Sequence, residues 1–252
     1  MRSKLMMGIG ASTLLFGTTI AMLRSVRSYE TQNAGLEVPV LVSQLAVENG
    51  VIPVELRCDK ARLTAPDTLE RVPCVVKNNT NKNIRALATQ FTVVVDYTGK
   101  ESPDTGFLTL ETSLHPDLNK AHMHKLIMAG QEQALEPSPA TYDRGVIKRV
   151  ELKMDYVEFD DNSTLGPDKN GSKLIALGRQ GAAKYKEWLV QKYTDSGKSI
   201  DAIASLINAK DMPGELDFKD INQSMGARQY RAHLREIYAT NGAAELKKYF
   251  DR

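Results

Sequence analysis

VIKRVELKMDYVEF, residues 146–159, is the longest strand-like stretch of this chain and decides how its middle part folds. Successive side chains of a β-strand point to opposite faces, so apolar residues of one parity mark a buried face. One parity is taken by Val146, Val150, Leu152, Met154 and Tyr156, and the other by Val157 and Phe159. The change of parity after Tyr156 predicts a β-bulge or a bend, where the strand changes neighbours.

A second alternating segment, residues 88–97, lies upstream. One of its faces carries Phe91, Val93, Val95 and Tyr97, and the other carries Thr92, Val94 and Asp96. Asn-rich turn residues precede it at 78–83, and we predict a half-buried antiparallel strand. Shorter strands are predicted at residues 106–112, 122–128 and 131–135. Several short strands separated by turns favour a β-sandwich over residues 50–166.

The run VELKMDYVEFDDNSTLGPD, residues 150–168, resembles the last strand of uncharacterised exported bacterial proteins with an immunoglobulin-like domain. In those proteins the ending V-E-F-x-D-G-[ST]-x-W-G-x-D is common, and the strand and Asn-rich turn at residues 72–84 are also similar to theirs. The chain departs from the pattern at Asn162 and Leu165, which stand in the Gly and Trp places. Covering about residues 50–170, the resemblance implies an immunoglobulin-like sandwich and an export route. It implies no activity.

Residues 1–27 have the charge pattern of a leader. Arg2 and Lys4 precede an uncharged run at residues 5–23, and Arg24 and Arg27 follow it. This run is long for a cleaved signal peptide and close to the roughly 20 residues that span a bilayer. A cleaved signal peptide and a retained membrane anchor therefore both stay open, with residues 28–49 as a linker. We expect an exported protein that is periplasmic, envelope-anchored or secreted.

The two cysteines, Cys58 and Cys74, are predicted to form a disulfide. Cys58 shares a strand face with Leu56, and Cys74 shares one with Val76, so both thiols point to the buried side. Disulfides persist in the oxidising compartments that exported proteins reach. A bridge closing a loop of about 15 residues stabilises the fold by about 3 kcal/mol in the chain-entropy model. The alternative is a pair of buried free thiols that pack as small apolar groups.

Charge and motif content exclude several classes of function. The 252 residues include 33 Lys and Arg against 31 Asp and Glu, and this net charge of +2 gives no reason to expect a polyanionic partner. The basic residues are scattered, without the stripe that nucleic-acid binding requires, so we expect no nucleic-acid partner. No nucleophile elbow, zinc-protease motif or phosphate-binding glycine loop is present, and we expect no cofactor.

The last third of the chain contains one motif twice. GAAKYKEWLVQKYTDSG at residues 181–197 recurs as GARQYRAHLREIYATNG at residues 226–242, an offset of 45. In each copy the tyrosines and the leucine lie on one helical face, and the final glycine is a helix stop. We predict a duplicated module at residues 172–252 made of two helical hairpins. The predicted fold class is therefore α+β, with an immunoglobulin-like antiparallel β-sandwich followed by a C-terminal helical module.

Four aromatic side chains of this module are the candidate binding residues: Tyr185, Trp188, Tyr230 and Tyr238. One interpretation of such an aromatic stripe is that its side chains form the core where the two copies pack together. The more specific hypothesis is a groove that takes a partner protein, as a peptide segment, or a glycan, because Tyr and Trp are enriched at binding surfaces.

The candidate metal ligands are His115, His122 and His124. On a strand His122 and His124 share a face, which a metal ion can use, although a polar edge strand explains the same pattern. We expect a non-catalytic exported or envelope-anchored interaction module of unknown partner, which reaches the membrane through its leader if that is retained. The alternatives are an envelope metal-assisted hydrolase that uses these histidines and a self-associating structural component of the envelope.

Overall fold

The computed structural model describes residues 36–46, 50–111, 127–135, 137 and 139–251. The predicted leader at residues 1–27 lies outside this range, and residues from Glu37 onward form one unit. In the described part, a strand-rich region is followed by helices, so the chain is mixed α+β as predicted. None of the helices found there has the length and hydropathy to cross a membrane.

Twelve strands are present in the described ranges: β1 (Leu36–Val38), β2 (Val40–Ser43), β3 (Val54–Cys58), β4 (Ala61–Ala65), β5 (Thr68–Arg71), β6 (Cys74–Asn78), β7 (Ile84–Tyr97), β8 (Lys100–Glu111), β9 (Glu132–Leu135), β10 (Ala140–Thr141), β11 (Val146–Phe159) and β12 (Thr164–Leu165). They form three sheets, with the orders β1-β4-β5-β10, β12-β11-β7-β8 and β3-β6-β9. Strand β2 also joins β11, in parallel, whereas β7, β8 and β12 pair antiparallel in the same sheet. The segment predicted as a linker thus contributes two strands.

The three sheets share one apolar core, centred on β7 and β11. Val93 and Val95 of β7 belong to this core and Phe91 packs against it, as predicted for one face of residues 88–97. Val94 on the other face is only 3% exposed, so the strand is not half-buried as predicted. Val93 and Val95 pack in one cluster with residues of the other sheets, such as Leu69 and Val76. Burial of this apolar surface is the main stabilising contribution in the strand-rich part.

The disulfide prediction is confirmed. Cys58 ends β3 and Cys74 begins β6, and the two residues are direct partners in the antiparallel register of these strands. Their sulfur atoms are bonded at 2.06 Å. Strand parity placed both thiols on one face, and strand pairing then brought them together.

The predicted irregularity in β11 is a β-bulge at Asp155. The register with β7 shifts between Met154 and Tyr156, so one extra residue is inserted into β11. Before the bulge Met154 faces the main core, and after it Val157 does. Tyr156 is therefore turned to the opposite face of the sheet, where it packs with Ile175 of the first helix. One inserted residue thus gives the sheet a second apolar face.

The sequence assigned Val146 to the buried face of β11, and this was wrong. Val146 is exposed, and Ile147 is buried in its place. The cause is a second register shift between Ile147 and Arg149, which reverses the parity at the start of the strand.

Three helices follow the strands in the described residues: α1 (Gly171–Asp195), α2 (Ile200–Asn208) and α3 (Ile221–Phe250). Gly197 follows the end of α1 with φ of +66°, in the left-handed region that favours glycine. Its repeat equivalent Gly242 has φ of +78° and interrupts the helical geometry inside α3. Three helices are therefore present in the described residues, and the last of them is divided by a kink at Gly242, where the sequence predicted a helix stop. The arrangement as two hairpins stays a prediction.

Helices α1 and α3 cross at a point where two glycines replace side chains. A Cβ atom on Gly181 would overlap the backbone carbonyl of Gln223, and a Cβ atom on Gly226 would overlap the backbone carbonyl of Gly178. Backbone atoms on the facing helix cannot move aside as a flexible side chain can. The repeated Gly-Ala pair therefore marks the place where the helix backbones meet.

We expect Gly226→Ala to lower the free energy of unfolding by about 3 kcal/mol, because the added methyl group separates the two helices. Gly178→Ala is the matched control on the facing helix, since its Cβ atom would meet only the Gly226 Cα atom, at 4.0 Å. Alanine is a better helix former than glycine, so we expect the free energy of unfolding of the control variant to rise by about 0.5–1 kcal/mol. Urea denaturation measures both variants. Equal effects of the two substitutions would contradict the close crossing.

Candidate functional site

The bulge at Asp155 turns a buried carboxylate toward the N-terminus of α1. The residue is only 3% exposed. Its oxygens accept backbone N–H bonds from Lys169 at 3.0 Å, Asn170 at 3.1 Å and Gly171 at 2.8 Å. The N-cap residue of α1, Asn170, makes no side-chain cap of its own. A strand residue therefore satisfies the N–H group of the first helical residue and those of the two residues before it. Its negative charge suits the positive end of the helix dipole.

Gly171 lets the start of α1 approach the sheet. A Cβ atom at this position would overlap the Cβ atom of Tyr156 and approach that of Ala88 to 2.9 Å. This face of the sheet carries the small alanine side chains of β7 and the ring of Tyr156, which the bulge has placed there. The helix axis is thus held close to the strands.

Two turns into α1, Arg179 connects the helix to two strands. Its Nη2 atom lies 2.8 Å from Glu111 Oε2 on β8 and 3.0 Å from Glu158 Oε2 on β11. Both glutamate side chains are less than a tenth exposed, and Arg85 of β7 also pairs with Glu158. A buried carboxylate is costly unless cations or several hydrogen bonds compensate its charge. The cluster therefore positions α1 on the sheet.

A small cavity lies beside this cluster, between β8, α1 and α3. Thr109 and Glu111 line it from the strand, and Leu174 and Met225 line it from the helices. Its volume of about 20 Å³ holds at most one water molecule. It is too small for a substrate, but it marks a seam at which the strand and the helices meet.

Two apolar side chains are exposed at the start of α3, and one of them borders this seam. Ile221 is 71% exposed and Met225 is 44% exposed, and they are one helical turn apart at the start of α3. Met225 borders the cavity that Thr109 of β8 also lines. Isolated exposed apolar residues are ordinary on a protein surface, but a neighbouring pair forms a patch.

Strand β8 presents a free edge next to this patch. It pairs with β7 along its whole length, and within the described ranges no strand pairs with its other side. Pro103 and the charges of Glu101 and Asp104 protect the first half of the strand from further pairing. The second half, residues 106–110, has the sequence GFLTL and carries no such protection.

The four predicted binding residues lie in or beside the helical core. Tyr185 and Tyr230 are 0% and 2% exposed, and their rings meet edge to face with centroids 6.3 Å apart. Trp188 and Tyr238 are partly buried and keep exposed surface. The indole N–H of Trp188 donates to Glu215 at 3.2 Å. The predicted groove stays a prediction, and core packing accounts for the two fully buried tyrosines.

The three histidines of the metal-site hypothesis, His115, His122 and His124, lie outside the described residues, and the hypothesis stays a prediction. In the described part of the chain, no group of three or more His, Cys, Asp and Glu side chains is arranged to hold a metal ion.

Sequence reasoning missed the side chains that join the sheet to the helices, namely Asp155, Glu158, Glu111 and Arg179. One signal was available, because Glu158 stands between the apolar residues Val157 and Phe159 at the end of the longest strand. A charged residue there suggests that the second face is also covered. Nothing in the local pattern pointed to Arg179, which lies on the mixed surface of a long helix.

No protein-family model matches the chain, and a search of curated proteins finds no sequence significantly similar to it.

We expect Asp155→Asn to destabilise the protein by about 3 kcal/mol, because a neutral amide accepts fewer and weaker N–H bonds than the carboxylate, including that of the buried Gly171. Hydrogen exchange at residues 169–171 should accelerate by more than it does elsewhere in α1. Asp161→Asn is the surface control. Its carboxylate forms an exposed pair with Lys82 at 2.7 Å, and exposed pairs stabilise proteins little. Comparable losses in the two variants would refute the role given to Asp155.

Tyr185 makes the stability sensitive to alkali. Burial raises its pKa to about 12, above the ordinary value of 10. A raised pKa in the folded state gives stability that is complete below pH 10 and is lost as the pH rises toward 12. We expect Tyr185→Phe to flatten this decline in urea denaturation at a series of pH values. Some decline should remain, because burial and Asp104 also raise the pKa of Tyr142 to about 12. An unchanged slope would exclude this role for Tyr185.

Proposed function

We propose that this protein is a non-catalytic interaction module that acts outside the cytoplasm. Its strand-rich part is the scaffold, and the seam between β8 and the start of α3 is the contact surface. The proposal of export rests on the charge pattern of residues 1–27 and on the Cys58–Cys74 disulfide, since such bonds persist in oxidising compartments. Membership of the exported bacterial proteins with immunoglobulin-like domains is part of the same proposal.

An immunoglobulin-like arrangement of the strands is supported by the shared core. Apolar residues of the five-stranded sheet, such as Val150 and Leu152, pack in one cluster with residues of the three-stranded sheet, such as Leu56 and Val76. A β-sandwich consists of two sheets that pack face to face and bury their inner faces. The short disulfide loop between adjacent strands differs from the antibody pattern, in which the bond joins the two sheets.

Duplication of the helical unit is supported by reciprocal contacts. Gly181 meets Gln223, and Gly226 meets Gly178. At the repeat offset of 45, Gln223 is the equivalent of Gly178 and Gly226 is the equivalent of Gly181. The same contact is therefore made twice with the two copies exchanged, as across a two-fold axis. We propose that the module descends from two copies of one helical hairpin packed about such an axis.

The observation that carries the proposed function is the exposed pair of Ile221 and Met225 near β8, whose outer edge has no strand partner in the described residues. An apolar patch next to unpaired backbone groups offers a partner both contact area and hydrogen bonds. In contrast, Glu111 and Glu158 are ion-paired to Arg179, and the cavity beside them has no room for a substrate. These residues therefore favour binding over catalysis.

We expect a photo-crosslinking amino acid at Ile221 or Met225 to capture one partner protein in intact cells. Val190 is the matched control, since it is an apolar residue of α1 that is 41% exposed and lies outside the pair at the start of α3. Mass spectrometry of the crosslinked products identifies the partner, and a product at twice the mass of the chain would identify self-association. Equal capture at Val190, or no capture at the two seam positions, would contradict the proposed contact surface.

A further inference from the structure

A second feature of the strand-rich part, independent of the proposed function, is a cleft at the edge of β11. Strand β2 pairs with β11 only as far as Lys153, and β12 pairs with it only from Val157. Between these points the edge of β11 has no strand neighbour in the described residues. The gap is a cleft of about 450 Å³, which is within the range of small-molecule sites.

The cleft exists because β2 ends at Ser43, where the chain stops pairing with β11 and turns toward β3. The side chain of Gln44 makes this turn possible. The Leu56 N–H donates to Gln44 Oε1 at 2.9 Å, and the Gln44 amide donates back to the Leu56 carbonyl. The side-chain amide thus pairs with β3 as a strand would. This arrangement holds one wall of the cleft in place without filling the gap.

The walls of the cleft are apolar and continuous with the protein core. Leu45 and Met154 are buried members of the main core cluster, and Leu165 packs against it. Pro53 and Pro167 complete the apolar lining. A ligand in the cleft would therefore contact surface of the same kind as the protein interior.

One charge stands among the lining residues. Lys153 lines the cleft, and none of the described acidic residues does. Other lysines of the sheets are paired, such as Lys77 with Glu132 at 3.8 Å and Lys148 with Asp96 at 3.2 Å. In the described ranges Lys153 forms no such pair. A cation beside an apolar slot is complementary to a molecule with an apolar chain and one anionic end.

We propose that this cleft binds a small apolar monocarboxylate, with its chain against Met154 and Leu165 and its carboxylate on Lys153. The probe is octanoate, and 1-octanol is the uncharged control of the same length. We expect octanoate to bind the full chain in a one-to-one ratio and to shift the methyl NMR signal of Met154. The signals of Met212 and Met225, which lie in the helical part, should not move.

Lys153→Met keeps the apolar stem and removes the charge. It should weaken octanoate binding about tenfold and leave 1-octanol binding unchanged, because only the carboxylate uses the ammonium group. Lys148→Met, on the same strand but outside the cleft, should leave both affinities unchanged. Leu165→Trp, which fills the slot, should abolish binding of both probes.

Three results would overturn the proposal. The first is a Met154 signal that does not move in saturating octanoate. A cleft that binds only a peptide segment would give this same result. The second is an unchanged octanoate affinity in Lys153→Met. The third is 1-octanol binding as tight as that of octanoate in the unaltered protein.

Discussion

The contact between the Asp155 carboxylate and the backbone N–H groups of residues 169–171, at the start of α1, is the constraint on which the rest of the structure depends. It requires one extra residue in β11, which reverses the strand parity and leaves Asp155 facing the helix. The same insertion turns Tyr156 away from the main core and onto the face of the sheet that α1 covers. A buried carboxylate without those three donors would be costly, so the bulge and the helix start stabilise each other.

The position of α1 then determines the remaining contacts of the helices. With its N-terminus held at Asp155, Arg179 lies two turns along and reaches Glu111 and Glu158. The next turn carries Gly181, at which the helix meets α3. Sheet, first helix and last helix are therefore joined through one continuous set of short contacts. A seam between β8 and α3 follows from this geometry, and it leaves Ile221 and Met225 exposed.

The two proposed binding surfaces arise in the same way, from strands that stop pairing. At the seam, β8 is the last strand of its sheet in the described residues and keeps an unpaired edge. At the cleft, β2 and β12 each cover only part of the edge of β11. Unpaired strand edges and openings into an apolar core are places where a partner or ligand adds contacts that the fold leaves unmade. The carboxylates at the centre of the molecule are already paired, and they hold the structure together.

The sequence alone determined what depends on short-range periodicity. The strand faces of residues 88–97, the placement of both cysteines on the inner face of their strands, the irregularity in β11 and the glycines at which helical geometry stops all follow from spacings along the chain. Only the tertiary structure decided which groups meet across long separations. Glu111, Glu158 and Arg179 come from three elements, and their pairing depends on the helix axis that the bulge sets. Likewise, Gly226 is recognisable as part of a repeat, but the backbone it contacts belongs to another helix. Periodicity records which side of an element is buried, whereas the identity of the partner depends on how separate elements pack in space.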